Sequence, residues 1–119
     1  MTLAEQVYAQ ARLMAQGLGE ENGQVLEALC ASAVACVKRR LRDSVEPEDC
    51  LADFVTAGAM YALAAMNELG DLVLTEQPAE GEDLTIRRSG SDAAANCLRY
   101  QAELLMQPYF KQPFAFISA

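Results

Sequence analysis

The stretch Phe54–Met66, FVTAGAMYALAAM, has a single plainly polar side chain, Thr56. A helix that is apolar nearly all round must be covered on most sides, so this run predicts the central helix of a helical domain. Gly58, Ala62 and Ala65 share a face without bulk, which lets another helix approach closely. Just upstream, Ser44-Val45-Glu46-Pro47-Glu48-Asp49 reads as a helix start. Proline is pre-set for a first helical turn, and acids suit the positive end of the helix dipole. The central helix is therefore expected over 47–69, with Gly70 as its stop.

Working outward toward the N-terminus, Thr2 and Glu5 stand three apart before the apolar series Leu3, Val7, Ala11, Met14 and Leu18. That spacing is a capping box opening an amphipathic helix over about 3–17, ended by Gly17 and Gly19. A second series, Val25, Leu26, Leu29, Cys30, Ala33, Val34, Val37 and Leu41, recurs at three- and four-residue spacing and predicts a helix over 22–42. It finishes in Lys38-Arg39-Arg40-Leu41-Arg42, cations that complement the carbonyl end of the dipole.

Toward the C-terminus the period changes. Leu72-Val73-Leu74-Thr75 and Leu84-Thr85-Ile86-Arg87-Arg88 favour strands, and the acidic, turn-rich Glu76–Asp83 joins them, so a hairpin is expected over about 72–88. Ser91 then caps a last helix over about 92–107, with Ala94 or Ala95, Leu98, Ala102, Leu105 and Met106 on its apolar face and Pro108 as its stop. Residues 108–119 form an aromatic tail, in which Pro113 prevents a further helix. The expected fold is mainly α: a compact bundle of about four helices, with a short β-hairpin before the C-terminal helix and an extended aromatic tail.

The 119 residues fit one domain, 1–119, in which roughly two-thirds of the unfolded surface can be buried. Nine basic against seventeen acidic residues leave a net charge of −8, unsuited to recognising nucleic acid, whose phosphates require a basic face. The first residues lack the charged and apolar regions of a signal peptide, and no uninterrupted apolar stretch reaches the roughly 20 residues of a membrane span, so no membrane partner is expected. Cys30, Cys36, Cys50 and Cys97 form no C-x-x-C pair and have no histidine for company, because the chain contains none. They read as small core residues in a reducing cytoplasm, and neither a metal nor a cofactor is expected.

Catalysis requires convergent groups that shuttle protons or attack, and this chain is poor in them. No nucleophile-elbow, phosphate-loop or dinucleotide motif is present, and the bunched Glu46, Glu48, Asp49 and Asp53 read as a helix start. The expectation is a non-enzyme. The candidate interaction residues are instead three groups. Lys38, Arg39, Arg40 and Arg42 form a basic run that a neighbouring copy's Glu76, Glu80, Glu82 or Asp83 would complement. Arg87 and Arg88 form a second, smaller patch with Arg99. Tyr109, Phe110, Phe114 and Phe116 make up half of the eight aromatics. Their large apolar area belongs either across the domain's own helices or against another protein.

The segment Ala95–Tyr109, ANCLRYQAELLMQPY, followed by a short aromatic end, resembles the close of small head-to-tail connector (head completion or adaptor) proteins of tailed bacteriophages and prophages. Gly81-Glu82-Asp83-Leu84-Thr85-Ile86 resembles that family's hairpin element, with one residue more than its usual spacing, and the Pro47-Glu48-Asp49 start with its Ala-rich helix also fits. The resemblance implies a structural virion part. Copies would assemble as a cyclic oligomer beneath the portal protein, extend the DNA channel and offer a face to the tail or stopper protein. DNA would be met only in non-specific passage, for which an acidic surface is suited. The implied location is the bacterial host cytoplasm during assembly and the virion neck afterwards. The alternative is a cellular helical adaptor binding a protein through its hairpin or tail.

Overall fold

The computed structural model describes residues 1–15, 22–75 and 95–111, with side chains of the third helix described as far as Leu69. Among the described residues there are four α-helices: α1 (Leu3–Met14), α2 (Gly23–Arg40), α3 (Leu51–Thr75) and α4 (residues 95–106). Among the described residues there is no strand, only an isolated antiparallel bridge between Leu41 and Phe110.

The local signals at two helix starts form as the sequence predicts. Glu5 N donates to Thr2 Oγ1 at 3.1 Å and Thr2 N to Glu5 Oε1 at 2.7 Å, completing the capping box. The hydrogen bond from the Thr2 backbone N–H, and then the contact with the Thr2 hydroxyl, hold the Glu5 carboxyl below its ordinary range. At the other start, Pro47–Cys50 forms a single 3-10 turn before α3, and Glu46 N donates to Asp49 Oδ2 at 2.9 Å. The bunched acids here thus serve the helix start, and Asp53 accepts a hydrogen bond from the Tyr109 hydroxyl at 3.2 Å.

Helix α3 is central. A Cβ placed on Gly58 would lie 3.1 Å from Val7 Cγ2, so the missing side chain is what lets α1 approach α3 there. Val7, Ala11, Leu26, Cys30, Ala33, Ala59 and Ala62 form one buried cluster, joining α1 and α2 to one side of α3. A second cluster, Val37, Leu41, Cys50, Phe54, Ala57, Ala102, Met106 and Phe110, joins α2, α4 and the start of the tail to the other. The contacts also set direction. Gly23 opens α2 against Tyr8 and Arg12 late in α1. Arg99 pairs with Glu68, while Tyr109 reaches Asp53, so α4 runs antiparallel to α3.

Several expectations are corrected. Helix α1 ends at Met14, because Ala15 leaves the helical region at φ −112°, ψ 61°; Gly17 and Gly19 lie outside the described residues. Helix α2 ends at Arg40, since Leu41 turns extended to pair with Phe110 and bury its side chain, so Arg42 is not on the helix. Helix α3 does not stop at Gly70 but continues through Leu72–Thr75, the expected first strand. One glycine costs a propagating helix only about 1 kcal/mol, and Leu72 and Leu74 suit a helix as well as a strand. The expected second strand, Leu84–Arg88, and the Ser91 cap lie outside the described residues. Cys30 and Cys50 are buried, but Cys36 and Cys97 are exposed and are not core residues.

By length and composition, Pro47–Leu69 is long and apolar enough to cross a membrane, contrary to the sequence expectation. Phe54, Ala57, Ala59, Ala62 and Ala64 on it are all buried among the other elements.

Candidate interaction surface

The end of α2 is where the sequence's basic run meets the aromatic tail, and the fold divides its cations by role. Arg40 turns inward. Its guanidinium makes a bidentate pair with Glu103 of α4, with Nη2 donating to Oε1 at 2.7 Å and Nη1 bonded to Oε2. Nη1 also donates to the Tyr61 hydroxyl at 3.2 Å, and that hydroxyl donates in turn to Glu103 Oε2. The guanidinium carbon lies 4.1 Å from the centre of the Phe110 ring, a cation–π contact. This one side chain therefore ties α2, α3, α4 and the tail together.

The electrostatics follow from that geometry. Burial pushes the Tyr61 hydroxyl well above its ordinary range, and its hydrogen bond to the Glu103 carboxylate adds to this. The hydrogen bonds to Glu103 raise Arg40 further. For Glu103, burial pushes the carboxyl up, but hydrogen bonds from Arg40 and Tyr61 outweigh it and hold the group below its ordinary 4.5. A carboxylate, a guanidinium and a phenol arranged so satisfy one another's hydrogen-bonding groups.

The tail begins as part of the core. Phe110 is fully buried. Arg42 N donates to Tyr109 O at 2.9 Å and Lys111 N to Arg40 O at 2.8 Å, so residues 109–111 run antiparallel to 40–42. Arg42 Nε donates to Phe110 O at 3.2 Å. Of the candidate interaction residues, Phe110 is buried within the chain and Arg40, its side chain about one-third exposed, is engaged by Glu103 and Tyr61, while Tyr109 is half-buried with its hydroxyl on Asp53, which holds it above its usual range. Phe114 and Phe116 lie outside the described residues, as do Glu76, Glu80, Glu82, Asp83, Arg87 and Arg88.

What remains on the surface is a basic pole. Lys38 and Arg39 are exposed, as are Arg42 and Lys111 beside them. Sequence reasoning missed Lys111, because only the pairing of residue 110 with residue 41 brings it to the run. Its Nζ lies 3.6 Å from Asp43 Oδ1, a pair open to water and worth little. Arg99, by contrast, is taken up by Glu68 and by Asn96 Oδ1 at 3.2 Å.

Another open feature among the described residues is an apolar depression of about 430 Å³ between α3 and α4, lined by Thr56, Met60, Gln101, Leu104 and Leu105. Leu104 and, one turn earlier, Tyr100 face outward beside it, 44% and 58% exposed. Among the described residues, no three His, Cys, Asp or Glu side chains are grouped to hold a metal ion.

Compared with known proteins, the chain matches no family model, no curated protein and no solved structure.

Proposed function

We propose that the chain is a non-enzymatic structural subunit of a head-to-tail connector, assembling as a ring under a phage or prophage portal and joining the DNA-filled head to the tail. The observation that supports this reading is the behaviour of the segment bearing the family resemblance. Residues 95–106 form α4, which packs through Ala95, Ala102 and Met106, and the chain turns at 107–109 into a bridge to α2. The resembling residues are therefore the ones that bind the C-terminal helix to the bundle, while Leu104 stays partly exposed. Among the described residues the Arg40–Glu103–Tyr61 network is engaged within the chain and a charged pole is offered outside it, an arrangement that suits assembly.

The test is an image. Mixed with the portal protein encoded beside it, the purified chain is expected to add a ring of density in negative-stain microscopy and a multiple of 12.9 kDa in native mass spectrometry. A chain that stays monomeric and ignores the portal at every concentration and ionic strength refutes the reading. Neighbouring genes give an independent check: portal, protease and capsid genes are expected upstream.

A further inference from the structure

Five of the nine Lys and Arg residues, Lys38, Arg39, Arg40, Arg42 and Lys111, converge on the end of α2. Two of them have acidic partners nearby: Arg40 holds Glu103, and Lys111 lies near Asp43. Among the described residues no ion pair engages Lys38, Arg39 or Arg42, and only Arg42 makes a further contact, to a backbone carbonyl. In a chain of net charge −8, such a pole is an unusual concentration of positive charge. It also belongs to a rigid frame. The Leu41–Phe110 bridge and the Arg40–Glu103–Tyr61 network fix the backbone that carries it.

The complementary charge lies in Glu76–Asp83, EQPAEGED, which holds four acids and no cation. It follows the opposite end of α3. Tyr109 bonds to Asp53, which places Arg42 and Lys111 beside the first turns of α3, whereas the acidic segment begins after Thr75. The 22 residues from Asp53 to Thr75 make roughly 33 Å of helix at 1.5 Å per residue. Fully stretched, the eight acidic-segment residues span at most about 26–29 Å. The Arg40–Tyr61 contact brings the end of α2 nearer to Thr75 than Asp53 is, so reach alone does not exclude the pole of the same chain; charge complementarity between the two surfaces, together with the connector reading, favours the pole of another copy.

We propose that the basic pole is the docking surface for the Glu76–Asp83 segment of a second copy, so that identical chains join head to tail. Contact between two different surfaces of one chain is heterologous and closes into a ring when the rotation allows. The inference rests on the connector reading for the ring itself, and it names which two surfaces meet. Charged contacts of this kind set register and partner choice, and they weaken as salt screens them.

The experiment is a charge swap in the full chain. Lys38→Glu with Arg39→Glu alters the pole at two exposed side chains that make no ion pair among the described residues. Glu80→Lys, Glu82→Lys and Asp83→Lys alter the segment. Self-association is measured by sedimentation at low ionic strength, and copies retained on the portal by native mass spectrometry, with far-ultraviolet circular dichroism to show that each variant is folded. Each set alone is expected to weaken association about tenfold or more, and the two sets combined to restore it to within about threefold of the unaltered chain. Raising the salt is expected to mimic the single sets.

Two results overturn the proposal while leaving the connector reading standing. In one, the unaltered chain forms its ring on the portal and neither set weakens it. In the other, both sets weaken the ring but their combination restores nothing, which means that the pole meets an acidic surface of the portal or a phosphate instead. A chain that neither self-associates nor binds portal under any condition overturns both.

Discussion

Replacing Phe110 with alanine tests the part of the tail that the fold has taken into its core. The ring is fully buried, against Leu41, Phe54, Ala102 and Met106 in the second cluster, and the Arg40 guanidinium lies over it at 4.1 Å. Truncation leaves the backbone bonds of residues 109–111 possible but removes the ring. Transfer of a buried phenylalanine side chain accounts for about 1.5–3 kcal/mol, and the cavity left behind brings Phe→Ala in a core to about 3–5 kcal/mol. Loss of the cation–π contact, about 0.5–2 kcal/mol, falls within that sum. Against a whole-domain stability of about 5–15 kcal/mol, the variant would be marginal. Urea unfolding followed by circular dichroism is the assay. With a slope of about 1–3 kcal/mol per molar, the midpoint is expected to fall by at least about 1 M. Phe110→Leu, which keeps an apolar side chain in place, is expected to cost about 1.5 kcal/mol or less by the same measure. A Phe110→Ala chain within 1 kcal/mol of the parent would refute the assignment of Phe110 to the core and return it to the set of residues available to a partner.

Two further outcomes follow from the same interior. Because the folded Glu103 lies below its ordinary 4.5, its contribution to stability is present above that value and is lost as pH falls through the folded one. Glu103→Gln is therefore expected to flatten the acid limb of the stability–pH curve, read from urea midpoints at successive pH values, and an unchanged limb would show that the carboxylate is not held by Arg40 and Tyr61. At neutral pH, Glu103→Ala strands both partners and is expected to cost about 1–3 kcal/mol, less than a fully buried pair because the Arg40 side chain is about one-third exposed. The cysteines divide by exposure: Cys36 and Cys97 should react at once with a maleimide reagent in the native chain, whereas Cys30, whose thiol burial and the nearby Glu27 push up to about 11, and Cys50 should react only on unfolding. Three or four fast-reacting thiols by mass spectrometry would mean that the two buried sites open readily.

The two halves of the basic run show why a local reading stopped where it did. Lys38-Arg39-Arg40-Leu41-Arg42 is legible as cations at a helix end, yet nothing in it separates Arg40 from its neighbours. The partner that draws Arg40 inward, Glu103, is 63 residues away. The tail had the same ambiguity: Phe110, Phe114 and Phe116 are alike in composition, and only the bridge to Leu41 buries the first. Lys111 carried no signal at all as a lone cation between two prolines. At Gly70 the local rule for a helix stop was outweighed, since a single glycine is a small penalty within a helix already formed.

Features that depend on near neighbours along the chain are legible before it folds. The Thr2–Glu5 box, the Pro47 start, the central apolar helix and the bare Gly58 face are set by spacings of three and four residues, and each forms as its spacing requires. Which charges are engaged within the chain and which are offered outward is settled by contacts between distant parts of it. That choice turns on desolvation and on pairing between groups distant in sequence: Arg40 is held at Glu103 and Tyr61 under Phe110, and Lys38, Arg39, Arg42 and Lys111 remain as the exposed pole.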